Sequence, residues 1–120
     1  MGYSIGTGLA SHLASNNHPK KLILQAPYYN LTDMMTQNFP FIPTFILKYK
    51  FNTDEYLKNC DMPIIIFHGN TDKVMDYQSS LRLKKEFNSK IKLITLNGQG
   101  HNGMTKNTDY KTELAKILSE

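Results

Sequence analysis

A single cysteine, Cys60, among 120 residues excludes an internal disulfide and separates the chain from small secreted scaffolds held by bridges. It fits a reducing, cytoplasmic setting, with Cys60 a structural residue near a strand start. No run of eighteen or more apolar residues occurs, which argues against a transmembrane helix. The start, Met1-Gly2-Tyr3-Ser4-Ile5-Gly6, has neither the positive end nor the long apolar core of a signal peptide. There is no internal repeat and no low-complexity run. With 40% hydrophobic residues, the composition is that of one globular domain rather than of disorder. Only one arginine is present, Arg82, and the lysines behind the net charge of +4 are dispersed along the chain. A nucleic-acid surface gathers such charges on one face with aromatics between them, so these read as solvated residues at element ends and no nucleic-acid partner is expected. The histidines and Cys60 lack ligand spacing, so no metal is expected either.

What is present is an alternation of apolar runs and helical stripes. Residues 7–16 read as a helix, with Leu9, Ala10, Leu13 and Ala14 at helical spacing and small residues suited to packing on a sheet. Residues 21–26 and 63–68 are short, nearly continuous apolar runs, the pattern of strands buried on both faces of a parallel sheet. Residues 77–87 read as an amphipathic helix with Leu81, Leu83 and Phe87 inward. Residues 90–96 alternate as a third strand, and 109–119 form a last helix with Leu114, Ile117 and Leu118 as its stripe. His12 and His18, in or just after the first helix, read as surface or structural residues. The stretch 27–60 breaks the alternation. Its segment 39–51 is too interrupted by proline for one long helix and too apolar to lie exposed, whereas 52–57 looks like a short capped helical turn. It can wall a substrate pocket, complete the core, or, as the lesser reading, rest on a membrane surface beside Lys48 and Lys50.

Three residues carry the chemistry. Gly2-Tyr3-Ser4-Ile5-Gly6 is G-x-S-x-G, a sharp strand-to-helix turn that raises a serine hydroxyl at its apex. Small residues at its glycines let strand and helix approach. Asp72 follows the 63–68 strand in His68-Gly69-Asn70-Thr71-Asp72-Lys73-Val74, and His101 follows the 90–96 strand between Gly100 and Gly103. In a parallel sheet the loops after successive strands share one edge, so these residues can meet. A serine hydroxyl needs an imidazole to take its proton, and the imidazole needs a carboxylate to orient it. Alternatives stay open. Ser4 can be a plain helix cap, Asp76 can replace Asp72 as acid while Asp72 caps the helix near Tyr77, Asp33 is a further acid, and His101 can be an ordinary loop histidine. His68 reads as a structural hydrogen-bonding residue under the acid loop.

These motifs, with Gln25-Ala26-Pro27-Tyr28-Tyr29 after the second strand and Gly98-Gln99-Gly100-His101-Asn102, resemble the C-terminal half of an α/β-hydrolase, similar to the lysophospholipase-like and serine-aminopeptidase-like members. The resemblance spans almost the whole chain. It implies an α/β fold of parallel strands with flanking helices and with the N-terminal strands missing. Ser4 would be the nucleophile, Asp72 the acid, His101 the general base and the Ile5 backbone N–H one oxyanion donor. Met75 stands where relatives often carry proline. The early loop that supplies a second oxyanion donor is absent, and no strand is expected before the elbow. The expectation is a partial hydrolase domain over 1–120, with 27–60 a cap-like insertion, inactive by itself. In the complete protein it would act as a serine hydrolase on a small-molecule carboxylic ester, or as the lesser reading on a peptide or amide, through an acyl-enzyme and without a cofactor. The alternative is a non-catalytic binding or scaffold module, or a truncated remnant.

Overall fold

The computed structural model describes residues 1–3, 6–28 and 53–119. They form four strands, β1 (Gly2–Tyr3), β2 (Leu22–Gln25), β3 (Ile64–Gly69) and β4 (Ile91–Leu96), with helices α1 (Gly6–Asn17), α2 (Thr53–Lys58), α3 (Tyr77–Glu86) and α4 (Thr108–Ser119). A 3-10 turn, Met104–Lys106, precedes α4. The strands lie in the order β1-β2-β3-β4, every described pair parallel. The expected α/β class with a parallel sheet and flanking helices is what the structure has. One expectation is corrected: a strand does precede residue 4. It is two residues long and pairs with β2 through Gly2 opposite Leu24 and Tyr3 opposite Gln25.

The strands form because their side chains are apolar on both faces. Leu22, Leu24, Ile64, Ile66 and Ile91 pack with Ala14, Leu57, Leu83 and Phe87 on the side of α1, α2 and α3. Ile23, Ile65, Phe67 and Leu96 pack with Met104, Tyr110 and Ile117 on the side of α4. Burying each such side chain stabilises the fold by roughly 1.5–3 kcal/mol. The period of two also sorts the polar residues at the strand ends. His68 falls on the α3 side with Ile64 and Ile66, and Gln25 on the α4 side, where its Nε2 donates to the Tyr110 hydroxyl at 2.5 Å.

The helices bear out part of three expected stripes, with Ala14, Leu83, Phe87 and Ile117 buried and Ala10 and Leu114 packed against the core, and correct the rest. In α1 the buried residues are Thr7, Gly8, Ser11 and Ala14, while Leu9 and Leu13 are 49% and 52% exposed. Positions 7, 11 and 14 follow helical spacing, and 9 and 13 point about 200° away from 7 and 11, two residues at 100° each. The small stripe faces inward because α1 must run close over β1. In α3, Ser79, Ser80 and Leu83 are buried and Leu81 is exposed, and in α4 Tyr110 and Ile117 are buried and Leu118 is exposed. Cys60 is free and buried. His12 packs edge-on against Tyr56, and the exposed His18 lies 3.6 Å from Asp61. The aromatic stretch 39–51, Asp33 and the greater part of the 27–60 insertion lie outside the described residues.

Candidate active site

Parallel strands bring the loops after β1, β3 and β4 to one edge of the sheet. Residue 4 follows β1 directly, Asp72 lies three residues past β3, and His101 lies five past β4. Ser4 and Ile5 themselves lie outside the described residues, but Tyr3 and Gly6 fix where the chain leaves β1 and enters α1. A Cβ at Gly2 would stand 2.7 Å from the Ala10 Cβ and 2.9 Å from the Gly6 carbonyl oxygen, so the first glycine of the motif is what lets α1 fold back over β1. A Cβ at Gly6 meets no described atom within 4 Å, so crowding does not explain the second glycine.

The acid turn is built on Gly69. A Cβ there would lie 2.0 Å from the Gln99 carbonyl oxygen. The loop after β4 therefore passes directly over the end of β3, and only glycine leaves the room. Thr71 N–H donates to that same carbonyl at 3.3 Å and Asn70 N–H to the Leu96 carbonyl at 3.3 Å. Asp72 then turns its carboxylate inward, with its side chain wholly buried. Oδ1 accepts from the backbone N–H groups of Val74 and Met75, each at 2.8 Å. Oδ2 accepts from His101 Nδ1 at 2.8 Å and lies 3.4 Å from His68 Nε2. Burial by itself would raise the Asp72 pKa. The donors from His68, His101, Met75 and Val74 outweigh it and bring the pKa down to about 2. Asp76 has the other role considered for Asp72: it caps α3, accepting from Gln78 N–H at 2.9 Å.

The histidine loop is held from several sides. Gly98 and Gly103 have φ of 73° and 82°, a left-handed backbone that favours glycine. The Asn70 side chain accepts from Gly98 N–H at 2.9 Å and donates to the Asn97 carbonyl group of the side chain at 3.0 Å. Gln99 Nε2 donates to the Asn102 carbonyl at 2.8 Å, and its Oε1 accepts from Asn107 Nδ2 at 3.0 Å. Tyr3 closes the arrangement from β1: its hydroxyl donates to the His101 carbonyl at 2.5 Å, and the two rings lie 5.3 Å apart, tilted by 31°. Burial, and then the nearby Asp72 charge, raise the Tyr3 pKa.

With Nδ1 donating to Asp72, the His101 ring leaves Nε2 as the acceptor, which is the arrangement a general base needs. The structure thus brings together two of the residues expected from sequence, Asp72 and His101, beside the residue preceding Ser4. Tyr3 and Gln99 had no assigned part in the sequence reading. The one signal for Tyr3 was its place next to the serine within the motif. Among the described residues no group of three or more His, Cys, Asp or Glu could hold a metal ion.

The model of the serine hydrolase (FSH1) family matches residues 1–103. Alpha/beta hydrolase domain-containing protein 17B of Homo sapiens is 27% identical over 119 residues, covering 99% of this chain and 40% of that protein. The lysophosphatidylserine lipase ABHD12 of Macaca fascicularis is 29% identical over 101 residues, covering 68% of this chain and 25% of the lipase. An esterase from Pyrococcus furiosus superposes with a TM-score of 0.75 at 13% identity, over 98% of this chain and 51% of its own. The esterase domain of a Rhodothermus marinus protein superposes with a TM-score of 0.73 at 14% identity, over 98% of this chain and 55% of its own. The two solved structures share the α/β fold with its parallel sheet flanked by helices. The chain spans 40% of the length of the 17B relative and less of the lipase.

Proposed function

This chain belongs to the serine hydrolase (FSH1) family, and from that premise we propose that it carries the catalytic half of a carboxylic ester hydrolase that works through a Ser4–His101–Asp72 triad. Ser4 is the nucleophile, His101 takes its proton, and Asp72 holds the imidazole with Nδ1–H turned inward and steadies its charged form. Ser4 attacks the ester carbonyl. The Ile5 N–H, one residue before α1 in the sequence, would donate to the oxyanion, where a helix N-terminus favours negative charge. His101 passes its proton to the leaving alcohol, and water then hydrolyses the acyl-enzyme. The observation that carries this reading is the 2.8 Å contact between His101 Nδ1 and the fully buried Asp72 carboxylate, with the His101 backbone held by Tyr3, the residue before the serine in the G-x-S-x-G motif.

The lysophospholipase-like subtype and a small-molecule acyl substrate belong to the proposal, with the named lipase among the relatives as their support. So do the cap-like part for residues 27–60 and a cytoplasmic setting, the latter supported by the lone buried Cys60 thiol. Among the described residues no helix is long and apolar enough to cross a membrane. The test is hydrolysis of p-nitrophenyl esters of increasing acyl length by the chain and by a form extended upstream. Turnover by the extended form that is lost in Ser4→Ala, His101→Ala and Asp72→Ala is the expected result. Turnover retained in Ser4→Ala overturns the mechanism. No turnover by either form favours a non-catalytic binding module.

A further inference from the structure

His68 is the most completely enclosed polar ring among the described residues: it has no exposed surface, and both of its nitrogens are engaged. Its Nε2 faces two acceptors, the Met75 carbonyl at 2.8 Å and Asp72 Oδ2 at 3.4 Å. A nitrogen between two acceptors must carry the hydrogen. Nδ1 lies 2.6 Å from Ser80 Oγ, so in the neutral imidazole it accepts and the serine hydroxyl donates. The Tyr77 ring stands edge-on to the imidazole at 5.5 Å and 86°. The Met75 carbonyl and the Asp72 carboxylate thus set the tautomer, and Ser80, buried on the inward face of α3, complements it and holds the ring so that its donor aims at the acid turn.

The contact with Met75 matters as much as the one with Asp72. The Met75 peptide donates its N–H to Asp72 Oδ1 and offers its carbonyl to His68. The peptides on both sides of Met75 are thereby fixed, and the carboxylate is held by donors on each oxygen. Without His68, Oδ2 would keep His101 as its one side-chain donor and the turn would lose its side-chain anchor to β3, keeping the backbone bond from Asp72 N–H to the Gly69 carbonyl.

We propose that His68, oriented by Ser80, is a positioning residue that fixes the Asp72 carboxylate and through it the orientation of His101. This rests on the triad reading above. It goes beyond a merely structural histidine, because it predicts a dependence on one N–H at one ring position. Gln at 68 can place an amide N–H near the Nε2 position, whereas Leu cannot.

The experiment has two arms, so that this proposal and the triad reading can fail separately. In the first, long-range nitrogen–proton NMR on the uniformly labelled full chain reads the ring states without any catalytic turnover. The expected result is His68 protonated on Nε2, with a deshielded His101 Nδ1 proton that weakens in Ser80→Ala. In the second, fluorophosphonate labelling rates are compared in the extended form among wild type, His68→Leu, His68→Gln and Ser80→Ala. Labelling is expected to fall about tenfold in His68→Leu, the scale of one lost buried hydrogen bond, and to stay within about threefold in His68→Gln. His68 protonated on Nδ1, or equal losses in His68→Leu and His68→Gln, would overturn the proposal. So would a His101 proton unmoved in Ser80→Ala, a mild substitution that decides the matter if His68→Leu fails to fold. Absence of labelling in wild type would count against the triad and leave the NMR arm to decide for or against His68.

Discussion

Two side chains, the exposed Tyr3 and the buried Asp72, decide how the histidine is presented. Tyr3 contributes both a hydrogen bond to the His101 backbone and a ring beside its imidazole. Tyr3→Phe removes only the first, and a single hydrogen bond contributes about 1 kcal/mol, so probe labelling should slow about fivefold. Tyr3→Leu should slow it further; equal rates in wild type and both variants would remove Tyr3 from the site. Asp72 gives a prediction in pH. Its pKa is about 2 in the folded chain against 3.8 ordinarily, so its ionised form stabilises the fold above pH 4 and that contribution fades as pH falls toward 2. The shift corresponds to about 2 kcal/mol. Urea unfolding at stepped pH should show this loss in wild type and a flatter acid limb in Asp72→Asn. At this scale the meeting of Asp72 with His101 was legible, because each follows a strand and stands in a glycine-bearing loop. The choice of Asp72 over Asp76 was not legible, since it depends on which carboxylate turns inward and which one caps α3.

Among the elements, the meeting of β3 with the loop after β4 is the tightest joint. Gly69→Ala places a Cβ against a backbone carbonyl, which no rotamer change can relieve. It should cost roughly 1–3 kcal/mol, the range for overpacking, and displace the histidine loop, so that thermal unfolding and probe labelling fall together. Unchanged stability would mean that this loop lies elsewhere. The strands β2, β3 and β4 were readable because an apolar run bounded by turn residues has few other uses. The two leucines of α1 point outward although leucine is the stronger hydrophobic signal, because α1 approaches β1 and the core through small residues: Thr7, Gly8, Ala10, Ser11 and Ala14. In α3 a leucine two positions before Leu83 cannot share its face, and Ser80 occupies the inward position that His68 requires.

At the scale of the whole molecule, four of the seven exposed large apolar side chains among the described residues belong to the N-terminal segment, the others being Val74, Leu81 and Leu118. Met1, Tyr3, Leu9 and Leu13 are exposed around the outer edge of β1, and a groove of about 500 Å3 lined by Met1, Gly2, Leu9, Leu13 and Leu22 runs there. A strand edge flanked by such residues invites association. The chain by itself should elute with a concentration-dependent apparent size, and Leu9→Glu with Leu13→Glu should suppress that dependence. A wild-type chain monodisperse at high concentration would contradict it. The account as a whole stands on one claim: that Ser4 reacts, and that it reacts because His101 and Asp72 are beside it. Mass spectrometry of the fluorophosphonate adduct on the upstream-extended form tests this most directly. The account predicts the adduct on the Ser4 peptide, absent in Ser4→Ala and reduced at least a hundredfold in rate in His101→Ala. An adduct on another residue, or one on Ser4 formed at the same rate without His101, would contradict it.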